Sequence, residues 1–191
     1  NPPSVALWGD SHAAAIADAM SDELQYQGRS ATTFMLSSCL PIPELINHSQ
    51  NRQSQCPAFN ARVQSYILAN NSIKYVVLFA TWDSYILRRG HPDMLGFVPD
   101  DDFYAYPESG DPRMPNVDRL ISIQSAFEEL VSSLKAVGKT VILVHSLPRP
   151  NIDIPRFFAR QAWMGDAIPE NSGYPIAYAK NQFAESRQIL V

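Results

Sequence analysis

The chain has 191 residues and a net charge of −4, with 46% apolar and 18% charged residues. This length fits one domain and allows a core that needs neither metals nor many disulfides. The acidic balance gives no basic footprint for nucleic acid, and no apolar run approaches the roughly 20 residues that span a bilayer. No signal peptide is visible in the sequence, and residues 1–4 are typical of a linker that leads into a strand, so we expect either a removed signal or a piece of a longer protein.

Hydrophobic periodicity predicts strands and helices that alternate along the chain. Buried strands are expected at 5–8, 31–36, 74–80 and 139–145. Helices are expected at 12–27, 59–68, 117–137, 154–163 and 174–191. Long polar or proline-rich loops occupy 37–57 and 88–117. This order predicts a single domain over residues 1–191, folded as a three-layer α/β/α sandwich with a mainly parallel central sheet.

The strongest local signal is the segment WGDSHA at residues 8–13, which follows the first predicted strand. Sites in parallel sheets form at the carboxyl ends of strands, and Ser11 stands where a strand ends and a helix begins. A serine nucleophile requires this placement, with an exposed hydroxyl and an N–H at the positive end of the helix dipole. The alternative is that Ser11 is only the helix N-cap, and position alone does not decide between the two.

Several segments resemble one known family. The segment LWGDSHA at 7–13 resembles the first block of the SGNH hydrolases, also called GDSL esterases. Its Trp and His-Ala resemble the SGNH domains fused to bacterial acyltransferase-3 membrane proteins, which O-acetylate cell-surface glycans. SSCLP at 37–41 is similar to that subgroup's Ser-x-Cys-x-Pro segment, VVLFATWDSY at 76–85 to its third block, and Leu147-Pro148 also fits. The resemblance extends from Ser4 to about Arg160 and implies an SGNH/flavodoxin-like fold.

The resemblance implies Ser11 as the nucleophile, with its own N–H as one donor of the oxyanion hole. The family's second block usually contains a Gly whose N–H completes this hole, and here that place falls at Ser38 and Cys39. The third block usually supplies an Asn, whereas this chain has Trp82 nearby, so we expect an oxyanion hole that is built differently. Trp82 is expected either to offer its ring to a sugar or to belong to the core.

The two cysteines, Cys39 and Cys56, lie in a polar stretch rich in Pro and Asn. We predict a disulfide between them, which implies an oxidising compartment and contributes roughly 3 kcal/mol. Buried free thiols are the alternative. We expect no metal, because neither Cys has a second Cys or a His at ligand spacing. The acidic run 100–102 is interpreted as a solvated loop, with a metal site as the less favoured alternative.

The resemblance also implies a His base and an Asp partner in an Asp-x-x-His block near the C-terminus. No such block contains any of the four histidines, which are His12, His48, His91 and His145. We therefore expect the sequence to be truncated before that block. We do not expect His12 to replace the missing base, because successive helix residues point in different directions. His12 is instead expected to line the substrate site together with Asp10. His145 is expected to be an ordinary strand residue, and the two loop histidines to face solvent.

Two hypotheses for function follow. In the first, Ser11 accepts an acetyl group and passes it to a hydroxyl of a cell-surface glycan such as lipopolysaccharide O-antigen or peptidoglycan, or to water as an esterase. In the second, the domain is a non-catalytic glycan-binding module. We expect no cofactor here, since an acyl donor such as acetyl-CoA would act at an upstream acyltransferase-3 membrane domain. That partner implies a periplasmic or extracytoplasmic domain tethered to the inner membrane.

A nucleotide-binding flavodoxin-like protein is a third hypothesis, and the sequence does not support it. The loop after the first strand lacks the run of Ser, Thr or Gly donors that suits a phosphate.

Overall fold

The computed structural model describes residues 1–47, 55–86, 104–147, 154–165 and 184–190. The strands are β1 (Val5–Gly9), β2 (Ala31–Met35), β3 (Leu45–Asn47), β4 (Tyr75–Phe79), β5 (Ala105–Pro107) and β6 (Thr140–Val144). The helices are α1 (Ser11–Tyr26), α2 (Gln55–Ala69), α3 (Trp82–Ile86), α4 (Asn116–Ala136), α5 (Ile154–Met164) and α6 (Ala184–Leu190).

The main sheet has four strands in the order β2-β1-β4-β6, and every pair is parallel. This confirms the predicted fold class. Along the chain, α1 connects β1 to β2, α2 lies between β2 and β4, and α3 and α4 lie between β4 and β6. Because all four strands run in the same direction, their carboxyl ends lie at one edge of the sheet. The residues that follow those strands are therefore brought together although they are far apart in the sequence.

Side chains of β1 alternate between two core clusters, one on each face of the sheet. Val5 and Leu7 pack with Ala13 and Ala17 of α1. On the other face, Ala6 and Trp8 join the larger cluster, whose helical members come chiefly from α2 and α4: Val63, Ile67, Ile123, Phe127, Leu130 and Leu134. A strand that is apolar on both faces must be covered by helices on both, which produces the three layers.

The structure adds two features that the sequence did not predict. Strands β3 and β5 form a separate antiparallel pair in the register Leu45 to Pro107, inside segments predicted to be loops. Helix α3 follows β4 directly. Three-residue strands and a five-residue helix are too short to show a hydrophobic period. Of the helix predicted at 174–191, the described residues contain Ala184–Leu190 as α6, and residues 174–183 lie outside them.

Within the described residues, no helix is both long enough and apolar enough to cross a membrane.

Gly9 allows β1 and β4 to approach closely just before the candidate site. A Cβ placed on Gly9 would lie 1.7 Å from the carbonyl oxygen of Phe79 and 2.8 Å from the Cβ of Ala13. Both neighbours are fixed, one by the sheet ladder and the other by α1. Only glycine therefore fits between the end of the strand and the start of the helix.

We expect Gly9→Ala to destabilise the domain by more than about 3 kcal/mol, because relief of the clash requires a shift of the β4 backbone. Gly28→Ala is the matched comparison, since nothing lies within 4 Å of its Cβ position and only its φ of +71° opposes a side chain. That strain costs roughly 1–2 kcal/mol. Urea unfolding of both variants measures the difference. Equal loss of stability in the two variants would contradict this account of Gly9.

Candidate functional site

The carboxylate of Asp10 is the centre of the site, and it is buried with 1% of the residue exposed. Its Oδ1 accepts the backbone N–H of His12 at 2.8 Å. Its Oδ2 accepts the backbone N–H and the hydroxyl of Thr81, each at 3.0 Å, and the hydroxyl of Tyr85 at 3.0 Å. Four donors compensate for the burial of the charge. They also tie the β1–α1 turn to the β4–α3 turn.

Asp10, and not Ser11, is the N-cap of α1. The alternative that Ser11 serves as the cap is therefore wrong. Ser11 is the first helical residue and is exposed, and its hydroxyl has no hydrogen-bond partner within the described residues. The Ser11 oxygen is thus free to meet a ligand at the edge of the sheet. Asp10 itself faces inward, so its predicted role in lining the substrate is not supported; its carboxylate positions the turn instead.

His12 lies beside this network with 37% of its side chain exposed. Its Nδ1 is 2.6 Å from the Thr81 hydroxyl oxygen and 3.5 Å from Asp10 Oδ1. The ring also meets Phe79 edge-on, with 6.3 Å between centroids. These contacts hold the imidazole at the surface next to Ser11, where it can line a bound ligand. No hydrogen bond joins it to the Ser11 hydroxyl among the residues that the structure describes.

The second loop at this edge follows β2, which pairs directly with β1. Ser38 adopts a left-handed conformation with φ of 59°, which glycine adopts more easily than serine. Asn47 of β3 donates from Nδ2 to the Ser38 carbonyl at 2.8 Å and so holds the turn. The Ser38 N–H has no acceptor within the described part of the chain. Cys39 is 1% exposed, so the predicted alternative donor, the Cys39 N–H, is buried away from any ligand.

Asn60 of α2 supports this loop from inside the protein and is completely buried. Its Nδ2 donates to the carbonyls of Leu40 and Ile42 at 2.7 and 3.0 Å. Its Oδ1 accepts the indole N–H of Trp8 at 3.1 Å. The Trp of the WGDSHA segment therefore connects β1 to the loop after β2. The sequence offered no periodic signal for Asn60, because a single polar residue on a helix is usually exposed.

A disulfide joins Cys39 and Cys56, with 5.6 Å between their Cα atoms. This confirms the predicted pairing. The bond connects the loop after β2 to the first turn of α2, and the two cysteines have a sequence separation of 17. Both half-cystines are 1% exposed, so the bond is part of the core that backs the Ser38 turn.

Trp82 does not offer its ring to a sugar, because it is 1% exposed. Its indole N–H donates to the Val144 carbonyl at 2.8 Å, and its ring packs edge-on against Phe127 with 6.0 Å between centroids. The proposed place of Trp82 among the substrate-lining residues is therefore wrong, and the core alternative holds. Trp82 is the first residue of α3, and the contacts of its ring hold that helix against β6 and α4.

Arg119 of α4 fixes the other end of α3 and is completely buried. Its guanidinium donates to the carbonyls of Tyr85, Ile86 and Ala105. Cations favour helix carboxyl ends because the dipole is negative there. Arg119 thereby holds Tyr85 in position to donate to Asp10. The sequence offered no signal for Arg119. Thr81 and Tyr85 lie in the segment 76–85 that is similar to the family's third block, but no role was predicted for either.

His145 follows β6, and β4 lies between that strand and β1. Burial lowers the pKa of His145, Arg187 lowers the pKa further, and Asp83 opposes both effects. His145 and Ser11 therefore stand at the same sheet edge but not on neighbouring strands. His48, His91 and the acidic run 100–102 lie outside the described residues.

The geometry is thus that of an α/β domain with a free serine hydroxyl after its first parallel strand. The chain matches the model of the family described as "SGNH domain (fused to AT3 domains)" over residues 1–191 and belongs to that family. No match was found among curated proteins.

Among solved structures, the chain is similar to the periplasmic domain of the lipopolysaccharide acetyltransferase of Salmonella ser. Paratyphi A, with a TM-score of 0.59. The two are 13% identical, and the alignment covers 100% of this chain and 64% of that one. At this identity the likeness establishes a shared fold. The chain spans slightly less than two thirds of that structure's length.

We expect Thr81→Val to destabilise the domain by about 1–3 kcal/mol, because the buried Asp10 carboxylate loses a hydroxyl donor without a change of shape. Thr81→Ser keeps the hydroxyl and should recover most of the loss. Thr33→Val, at an exposed strand position, is the matched control. Urea unfolding midpoints compare the three variants. If Thr81→Val were no more costly than Thr33→Val, the hydroxyl would have no share in the burial of Asp10.

Proposed function

We propose that this SGNH domain carries out acyl-ester chemistry with Ser11 as the nucleophile, as a step in O-acetyl transfer to a bacterial cell-surface glycan. The observation that carries the proposal is that Asp10, and not Ser11, makes the hydrogen bond that caps α1. Asp10 caps α1 and is buried, and this leaves the exposed Ser11 hydroxyl unpaired at the carboxyl edge of the sheet. Membership of a family of SGNH domains fused to AT3 domains supports the same chemistry.

In this proposal the Ser11 oxygen forms a bond to the acyl carbon while its proton passes to a general base. The carbonyl π electrons move to oxygen and produce a tetrahedral oxyanion. Collapse of that intermediate breaks the bond to the leaving oxygen, which takes up a proton, and the acyl group remains on Ser11. A glycan hydroxyl then attacks the acyl-enzyme and releases Ser11 in the reverse order.

Two backbone donors are suited to the oxyanion. The Ser11 N–H lies in the first turn of α1, where helix N–H groups have no intrahelical acceptor and the dipole is positive. The Ser38 N–H is the second candidate, since Ser38 follows β2, the strand next to β1, and its N–H has no hydrogen-bond partner in the described part of the chain. Donors that are fixed before the reaction stabilise the developing charge most effectively.

A glycan acceptor and an extracytoplasmic location belong to the same proposal. The structural relative is the periplasmic domain of a lipopolysaccharide acetyltransferase, which supports a surface polysaccharide as the acceptor class. The disulfide supports an oxidising compartment. In such a protein the acyl donor would be used by an attached AT3 membrane domain, and the SGNH domain would handle the acyl group after its delivery.

A non-catalytic glycan-binding module is the second candidate. The observation in its favour is that neither described histidine, His12 or His145, donates to or accepts from the Ser11 hydroxyl. A serine without a base is a weak nucleophile. The two candidates differ in whether Ser11 becomes covalently acylated.

The test is acylation by p-nitrophenyl acetate, followed by intact mass and peptide mapping. We expect one added acetyl group, located on the peptide that contains Ser11, and none on that peptide in Ser11→Ala, which lacks the attacking oxygen. Ser125→Ala, at an exposed position on α4, is the matched control and should be labelled like the parent protein.

Equal acetylation of Ser11→Ala and the parent protein would exclude Ser11 as the nucleophile. Glycan binding without any acylation of Ser11 would favour the binding module. Transfer of the label to an added O-antigen fragment, detected as loss of the acetyl group from the protein and its gain by the glycan, would identify the acceptor class.

A further inference from the structure

His12 is connected to the buried Asp10 carboxylate through the hydroxyl of Thr81. The Thr81 hydroxyl oxygen is 3.0 Å from Asp10 Oδ2 and 2.6 Å from His12 Nδ1. The same oxygen is 3.5 Å from His12 Nε2, so Nδ1 is the ring nitrogen that shares a hydrogen bond with it. A hydroxyl has one proton, so Thr81 can donate to the carboxylate or to the imidazole, but not to both.

The burial of the carboxylate decides which group receives that proton. If Thr81 donated to His12, an oxygen lone pair would face Asp10 Oδ2 at 3.0 Å, and two acceptors would meet at a residue that is 1% exposed. If Thr81 donates to Asp10, the Nδ1–H of His12 donates to the Thr81 oxygen, and each donor meets an acceptor. That Nδ1–H also faces Asp10 Oδ1 at 3.5 Å, where a nitrogen lone pair would be repelled. The second arrangement is therefore favoured.

This arrangement fixes the tautomer of His12. A neutral imidazole has one N–H, so a protonated Nδ1 leaves a lone pair on Nε2. The side chain is 37% exposed, and within the described residues Nε2 has no closer polar partner than the Thr81 oxygen at 3.5 Å. His12 therefore presents a hydrogen-bond acceptor at the sheet edge directly after Ser11, whereas the N–H groups proposed for the oxyanion are donors.

We propose that Nε2 of His12 accepts a hydrogen bond from a hydroxyl of the glycan. The class of ligand rests on the proposed function, whereas the acceptor on His12 holds whether or not Ser11 becomes acylated. A free sugar hydroxyl can donate to Nε2 and an acetylated oxygen cannot, so this contact favours the unmodified glycan over the acetylated product. His12 thus recognises and positions the glycan. It is not the base for the Ser11 hydroxyl, with which it shares no hydrogen bond in the described part of the chain.

The first test is the tautomer, measured from the nitrogen-15 shifts of the histidine side chains at about pH 8, where an ordinary imidazole is neutral. His12→Gln identifies the His12 signals by their absence. We expect a pyrrole-type Nδ1 and a pyridine-type Nε2 in the parent protein and in Thr81→Ser. Thr81→Val should shift the equilibrium towards the Nε2–H form, because only the 3.5 Å contact with Asp10 remains. A protonated Nε2 in the parent protein would overturn the proposal.

The second test is binding of a de-O-acetylated O-antigen fragment, followed by the Nε2 signal and by calorimetric titration. The signal should move with the fragment and not with its permethylated form, in which no hydroxyl remains. His12→Phe keeps an aromatic ring against Phe79 and removes the acceptor. It should weaken binding roughly three- to tenfold, which corresponds to one net hydrogen bond. Tyr26→Phe, at a 90% exposed position at the other end of α1, is the matched control and should bind like the parent protein.

His12→Phe leaves the donors to Asp10 in place, so its urea midpoint should equal that of Tyr26→Phe. Equal binding by these two variants would overturn the proposal. If His12→Phe weakens binding while Ser11 resists acylation by p-nitrophenyl acetate, the acceptor role stands and the proposed catalysis is rejected. If Ser11 is acylated but the fragment does not move the Nε2 signal, the acceptor role is rejected and the catalysis stands.

Discussion

The burial of one carboxylate determines the shape of the candidate site. Asp10 is removed from water, and such a charge is tolerated only where donors surround it. Those donors come from the first turn of α1 and from Thr81 and Tyr85 after β4, so the carboxylate joins two crossovers at the sheet edge. Because Asp10 also caps α1, Ser11 needs no hydrogen bond to hold the helix. The exposed hydroxyl is a consequence of its buried neighbour.

The rest of the site depends on polar contacts that hold a turn in an unfavourable conformation. Ser38 adopts a left-handed φ without the freedom of glycine. The turn is held by Asn47 on its carbonyl, by Asn60 on the carbonyls that follow, and by the disulfide of Cys39. These contacts come from β3 and α2, elements outside the main sheet or on its far face. The two proposed oxyanion donors are thereby fixed from opposite sides of β1.

The fold and the location of the site could be predicted from the sequence, whereas the partners within the site could not. The main strands are apolar runs of ordinary length, and alternation with helices implies their parallel order. The WGDSHA segment then located Ser11 at the sheet edge. The roles of Asn60, Thr81 and Arg119 depend on contacts with residues far away in the sequence, such as the 52 positions between Trp8 and Asn60, the 71 between Asp10 and Thr81 and the 34 between Tyr85 and Arg119. For Trp82, the sequence did not distinguish a core position from a sugar-binding position at the surface. The structure shows the core position, with the ring packed against Phe127.

The central claim is that Ser11 is an acyl acceptor served by two preformed backbone donors. A crystal structure of the protein after reaction with a fluorophosphonate tests it most directly. The account predicts a phosphorus–oxygen bond to Ser11 Oγ, with the phosphoryl oxygen within hydrogen-bond distance of the N–H groups of Ser11 and Ser38. An unmodified Ser11, or an adduct whose phosphoryl oxygen points to solvent away from both N–H groups, would contradict it.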